Sequence, residues 1–129
     1  MAAALVEIVM QGNGEVVARE GPADLTVTIV DGTPPVVVLA GEVDLATAPQ
    51  FEKALISLLI QGRDSLAVDL GRVTYLDSTG INVLMKAMKL CNERGGKLAV
   101  VAASERAMRV MRLLNLDRVM PIRQRDPMP

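Results

Sequence analysis

The chain of 129 residues has no histidine, no tryptophan, one cysteine (Cys91) and two aromatic side chains, Phe51 and Tyr75. Each shortage closes off a class of chemistry. Without histidine the chain cannot build a Ser-His-Asp triad or a Cys-His pair of its own, and no Gly-x-Ser-x-Gly elbow surrounds Ser78. A single cysteine excludes an internal disulfide and, with no histidine, leaves too few ligands for the usual zinc site. Neither the Gly-x-x-x-x-Gly-Lys phosphate loop nor a Gly-x-Gly-x-x-Gly fingerprint after a strand is present. An enzyme is not expected, nor a cofactor or a metal.

Charge and hydropathy narrow the field further. Fourteen basic and fifteen acidic residues nearly cancel, and exposed aromatic runs are missing, so no nucleic-acid footprint is visible. The longest apolar run, Ala54 to Ile60, is far too short to cross a bilayer. Met1 to Met10 lacks a basic region and carries Glu7 inside its apolar run, which argues against a secretory signal. A reducing, cytoplasmic setting is the expectation.

What is present is half hydrophobic and almost wholly aliphatic, enough for one domain with a core filled by Val, Leu, Ile and Met. Its centre of organisation is Val68 to Leu84. Leu66 to Leu70 has strand character; Gly71 leads to a polar knot, Asp77-Ser78-Thr79-Gly80; a strongly apolar helical pattern follows. Such a hand-over sets small hydroxyls at a helix N-terminus, where free N–H groups and the helix dipole favour negative charge.

In chain order, residues 1–22 form an extension that reads either as a hairpin turning on Asn13-Gly14 or as a leader ending at Gly21-Pro22. The domain proper spans 23–122. Leu25 to Val30 alternates with period two, and Val36 to Ala40 is a continuous apolar run expected in a covered sheet. Thr47-Ala48-Pro49-Gln50 has capping-box spacing, and Phe51, Leu55, Leu58 and Leu59 mark the inner face of a helix stopped by Gly62. The helix from Thr79 to about Arg94 has one polar stripe, Asn82, Lys86, Lys89 and Glu93, and more apolar surface than one packed face needs.

After Gly95-Gly96, Lys97 to Ala102 is a further buried strand. Ser104 caps a third helix through Asn115, with Ala107, Val110, Met111 and Leu114 inside. Val119 to Ile122 suits a short edge strand, and a disordered tail, 123–129, follows.

Alternating strands and helices predict an α/β domain: a small mixed, mostly parallel sheet of four to five strands flanked by helices. Right-handed crossovers then bring three loops to one rim, Gly41 to Thr47, Gly71 to Thr79 and Ala103 to Glu105, so Asp44 approaches Asp77 and Ser78.

Taken alone, Asp77 and Ser78 are explained by helix capping and Asp44 by turn chemistry. Together with their surroundings they say more. Gly41-Glu42-Val43-Asp44, the Val68 to Gly80 stretch, and Gly95-Gly96-Lys97-Leu98 followed by Ser104 to Asn115 resemble the bacterial anti-sigma-factor antagonists, single-domain members of the STAS family. The resemblance runs from Leu25 to Ile122. It implies a STAS-like fold and a phosphorylatable serine, matched by Ser78. The implied partner is an anti-sigma factor, usually itself a serine kinase, whose capture frees a sigma factor. Phosphorylation would break that complex, and a phosphatase, expected to be of the PP2C type, would restore it. Asp44, Asp77, Thr79, Gly80 and Met85 are the expected partner-binding residues, on a monomer or weak dimer. Departures from the pattern are Thr79 where a second serine is common, Asn115 in place of glycine, the extra N-terminal residues, and no closing helix.

Charge offers an argument independent of the resemblance. A phosphate on Ser78 would bring about −1.5 to −2 charge beside Asp77. No basic residue lies between Arg72 and Lys86, and Lys86 is on the order of 12 Å down the helix. The modification is therefore expected to repel a partner, not to refold the domain. The other reading is a non-switching STAS adaptor or scaffold subunit of a stress-signalling or lipid-transport complex.

Overall fold

The computed structural model describes residues 6–10, 16–20 and 24–123, with side chains from 24 to 123. The Asn13-Gly14 turn and the tail after Arg123 lie outside the described residues. Among the described residues one sheet of six strands runs in chain order: β1 (Val6–Met10), β2 (Val16–Glu20), β3 (Leu25–Val30), β4 (Val36–Val43), β5 (Leu66–Leu76) and β6 (Leu98–Ala103). Helices α1 (Ala48–Ile60), α2 (Ser78–Glu93) and α3 (Glu105–Leu113) follow β4, β5 and β6.

The α/β class holds, with more strands than the four to five expected and a larger antiparallel half. β1 through β4 pair antiparallel, and β4, β5 and β6 pair parallel. The difference lies in the extension, where Val6–Met10 and Val16–Glu20 pair with each other and add to the edge of β3. At the other edge the expected strand over Val119 to Ile122 shrinks to one parallel bridge, Ile122 to Val100. A 3-10 turn, Leu116–Arg118, entered through a left-handed Asn115 (φ 56°), occupies the approach to it.

Period-two burial organises the sheet. Leu25 and Val27 of β3, Val37 and Leu39 of β4, Leu66, Val68 and Leu70 of β5, and Leu98 and Val100 of β6 are buried in one core. The helices supply the other half: Phe51, Leu55, Leu58 and Leu59 from α1, Ile81, Leu84, Ala87 and Cys91 from α2, Ala107 and Met111 from α3. At about 25 cal/mol per Å² of apolar area, burial of this aliphatic set dominates the stability of the fold. Leu114, expected inside, is 52% exposed, because α3 ends at Leu113 and the chain turns before that side chain can reach the sheet.

Two glycines let the backbone close up. Gly41 has φ +117°, and a Cβ there would stand 2.2 Å from Asp24 O, so only glycine lets β4 pass the start of β3. At Gly80 a Cβ would meet Val43 Cγ1 at 2.6 Å and Leu76 Cδ1 at 2.7 Å, so the first turn of α2 sits directly on the ends of β4 and β5.

Candidate functional site

The site is built where β4 and β5 end together. β5 does not stop at Leu70 as its apolar run predicts; it continues to Leu76, with Val73 and Leu76 buried and Gly71, Arg72, Thr74 and Tyr75 exposed. That extension brings Leu76 into register with Val43, and the Asp77 N–H donates to Val43 O at 3.3 Å. Asp44 and Asp77 are therefore the first residues past two paired strand ends.

Both acids cap the chain that follows them. Asp77 Oδ1 accepts from the Thr79 N–H at 2.9 Å and the Gly80 N–H at 3.4 Å, satisfying two of the orphan donors of α2. Asp44 Oδ1 accepts from Ala46 N–H at 2.9 Å and Thr47 N–H at 3.0 Å. The capping box expected at Thr47 and Gln50 does not form. The Thr47 hydroxyl is already engaged, accepting from the Asp44 N–H at 3.0 Å and donating to Glu42 O at 2.7 Å, while Gln50 Nε2 donates to Leu25 O at 3.4 Å.

Ser78 occupies the first position of α2 and is exposed; Asp77 and Thr79 are half-buried. Gly80 is buried, so what it provides is close approach of α2 to the rim, with no surface of its own. Met85 is 43% exposed, and as the seventh residue after Ser78 it lies on the same helix face two turns along. Two exposed apolar side chains were not singled out from the sequence: Leu45 at 78%, directly after Asp44, and Tyr75 at 42%, directly before Leu76. An isolated leucine in a turn carries no periodic signal, and Tyr75 lies in the end of β5 where the apolar run is broken.

Two loops, not three, share this rim. β6 ends early: Ala103 is in register with Leu70, roughly 20 Å of strand short of Leu76. Ser104 closes that gap only partly, donating from N–H to Leu70 O at 3.0 Å and from Oγ to Val73 O at 2.6 Å. Lys86, the first cation along α2 after Ser78, is held by Glu52 of α1 at 2.5 Å. Cys91, near the far end of α2, is fully buried away from the rim, and burial pushes its thiol up.

The parallel unit β4-α1-β5, followed by a helix that starts with a glycine-seated Asp-Ser-Thr-Gly turn, lies within the stretch that known proteins share with this chain. The family model described as "Mlab, STAS domain" matches residues 28–123, and the chain belongs to the STAS domain family. Among curated proteins, the chain is 36% identical over 84 residues to the anti-sigma-B factor antagonist of Bacillus subtilis (strain 168), covering 65% of this chain and 76% of that one. The anti-sigma-B factor antagonist of Listeria monocytogenes is 32% identical over 87 residues, covering 67% and 76%. Among solved structures, an anti-sigma factor antagonist from Mycobacterium paratuberculosis superposes with a TM-score of 0.70 at 29% identity, over 77% of this chain and 85% of that chain.

Proposed function

We propose that this chain is an anti-sigma-factor antagonist. It captures an anti-sigma factor on the rim formed by the Asp44-Leu45 loop, Tyr75 and the first turns of α2, and so releases a sigma factor. The anti-sigma factor is a serine kinase that phosphorylates Ser78 and thereby ends its own capture; a PP2C-type phosphatase resets the switch. The observation that carries this reading is an exposed Ser78 directly after the cap Asp77, at strand ends whose pairing of Val43 with Leu76 also sets Asp44 at the rim, where Leu45, Tyr75 and Met85 are exposed. Apolar side chains at a polar rim suit a protein partner.

The same geometry supports repulsion as the mechanism of release. Asp77 already occupies two of the α2 donors that would otherwise receive a phosphate, those of Thr79 and Gly80, and the Lys86 ammonium is paired with Glu52. Added charge of about −1.5 to −2 then faces outward, toward whatever is docked. Residues Asp44, Thr79 and Met85 are proposed contacts, with Leu45 and Tyr75 added to them.

The test is to mix the chain with an anti-sigma kinase and ATP and locate the phosphate by mass spectrometry, alongside binding by Ser78→Ala and Ser78→Asp. Modification at Ser78, with binding kept in Ser78→Ala and lost in Ser78→Asp, is expected. Equal binding by both variants would instead make the chain a non-switching adaptor.

A further inference from the structure

A second surface lies on the far flank of α3. That helix buries Ala107 and Met111 against the sheet. Beside this stripe Glu105, Met108, Arg109, Arg112 and Leu113 recur at helical spacing and, with Ala103, line an open groove of about 580 Å³. Its apolar part is Ala103, Met108 and Leu113, the last 76% exposed. Its charged part is Glu105 at one end with Arg109 and Arg112 beyond it, a net positive lining, and among the described residues neither guanidinium has an ion-pair or hydrogen-bond partner.

The charge here is segregated. Between Glu105 and Arg123 the sequence holds five arginines, two acids and no lysine, while the whole chain carries −1. The sign is opposite to that of the rim with Asp44 and Asp77. The choice of arginine matters as well. A guanidinium holds a carboxylate in two-pronged fashion, and arginine and methionine are enriched at protein interfaces where lysine is depleted. A lipid surface needs neither concavity nor a preference for arginine over lysine.

Position separates this groove from the rim. Ile122 returns beside Val100 in parallel, so α3 runs back along the sheet, away from Leu76. Ser104 is level with Val73, some 10 Å of strand below the rim. Nine helical residues carry Leu113 on the order of 13 Å further.

We propose that this groove docks an acidic segment of a second protein. An apolar anchor side chain of that segment lies against Met108 and Leu113, and its carboxylates pair with Arg109 and Arg112. This surface works independently of Ser78.

The experiment titrates the isotope-labelled full chain with a short synthetic peptide rich in Glu and Asp around one leucine, followed by amide chemical shifts. Saturable shifts confined to Ala103 through Leu113 are expected. Arg109→Gln and Arg112→Gln should each weaken binding at least about fivefold, and serine in place of the peptide's leucine should do the same. Arg106→Gln makes the same charge change on α3 outside the groove and should cost less than about twofold. Any of three results overturns the proposal: shifts that do not saturate or fall elsewhere, an Arg106→Gln loss equal to the other two, or stronger binding to phosphatidylglycerol vesicles than to the peptide. The last would assign the patch to a membrane surface. The altered arginines are exposed, so the variants should melt with the parent chain.

Discussion

A methyl group at Gly80 would have to share space with Val43 Cγ1 at 2.6 Å and Leu76 Cδ1 at 2.7 Å. Elsewhere in a helix, alanine gains about 1 kcal/mol over glycine. Both contacts here are roughly 1 Å inside ordinary carbon–carbon separation. Leu76 can swing its δ-methyl aside at an off-rotamer cost of order 1 kcal/mol. Val43 has no such freedom: it is β-branched and fully buried, so the first turn of α2 must lift off the rim. Overpacking of this kind costs about 1–3 kcal/mol. Set against the helix gain, Gly80→Ala should lose about 1 kcal/mol and melt about 4 °C lower by circular dichroism. Asn82→Ala, on the exposed side of the same helix, supplies the comparison and should gain a few tenths of a kcal/mol. If Gly80→Ala melts with Asn82→Ala or above the parent chain, the account of how α2 seats on the strand ends is wrong.

Removing the α2 cap through Asp77→Ala should cost about 1 kcal/mol, whereas Asp77→Asn, which caps equally well, should keep most of it; urea midpoints distinguish them. Gly41→Ala combines a φ of +117° with a Cβ 2.2 Å from Asp24 O, and should destabilise by at least about 2 kcal/mol in the same assay. For Cys91, burial raises the thiol, with Arg94 opposing and Asp64 reinforcing the rise. In the native chain it should react with a thiol reagent only as fast as the protein opens. A folded-state pKa raised above the unfolded one confers stability that is present below the ordinary thiol range and lost as pH climbs through the folded value. Stability should therefore fall above about pH 9 more steeply than in Cys91→Ala, as pH-dependent urea melts would show.

Much of this architecture is legible because buried parallel strands leave unbroken apolar runs. Leu25–Val30 was readable residue for residue, and α2 was readable from the spacing of Asn82, Lys86, Lys89 and Glu93, all of which are exposed. The last six residues of β5 were not, since Gly71, Arg72, Thr74 and Tyr75 interrupt the run once the strand leaves the cover of β6. The third loop therefore stands away from the rim, because β5 outruns β6 by the length of that segment. That Asp44 and Asp77 share the rim is legible, as it depends only on β4 and β5 ending in register. At Thr47 the spacing of a capping box was present, but a nearer acceptor, Asp44, won the N–H. Leu45 could not be weighed from sequence at all, since exposure of a lone turn residue is a property of the assembled rim.

Because each acid at the rim is locked to backbone that the sheet and two helix starts already hold, a protein docking there as proposed would meet a backbone already set in place. Little entropy is then lost on this side of an encounter. If the proposed docking holds, exchanging the exposed Leu45, Tyr75 and Met85 would alter partner preference and leave the frame beneath them untouched.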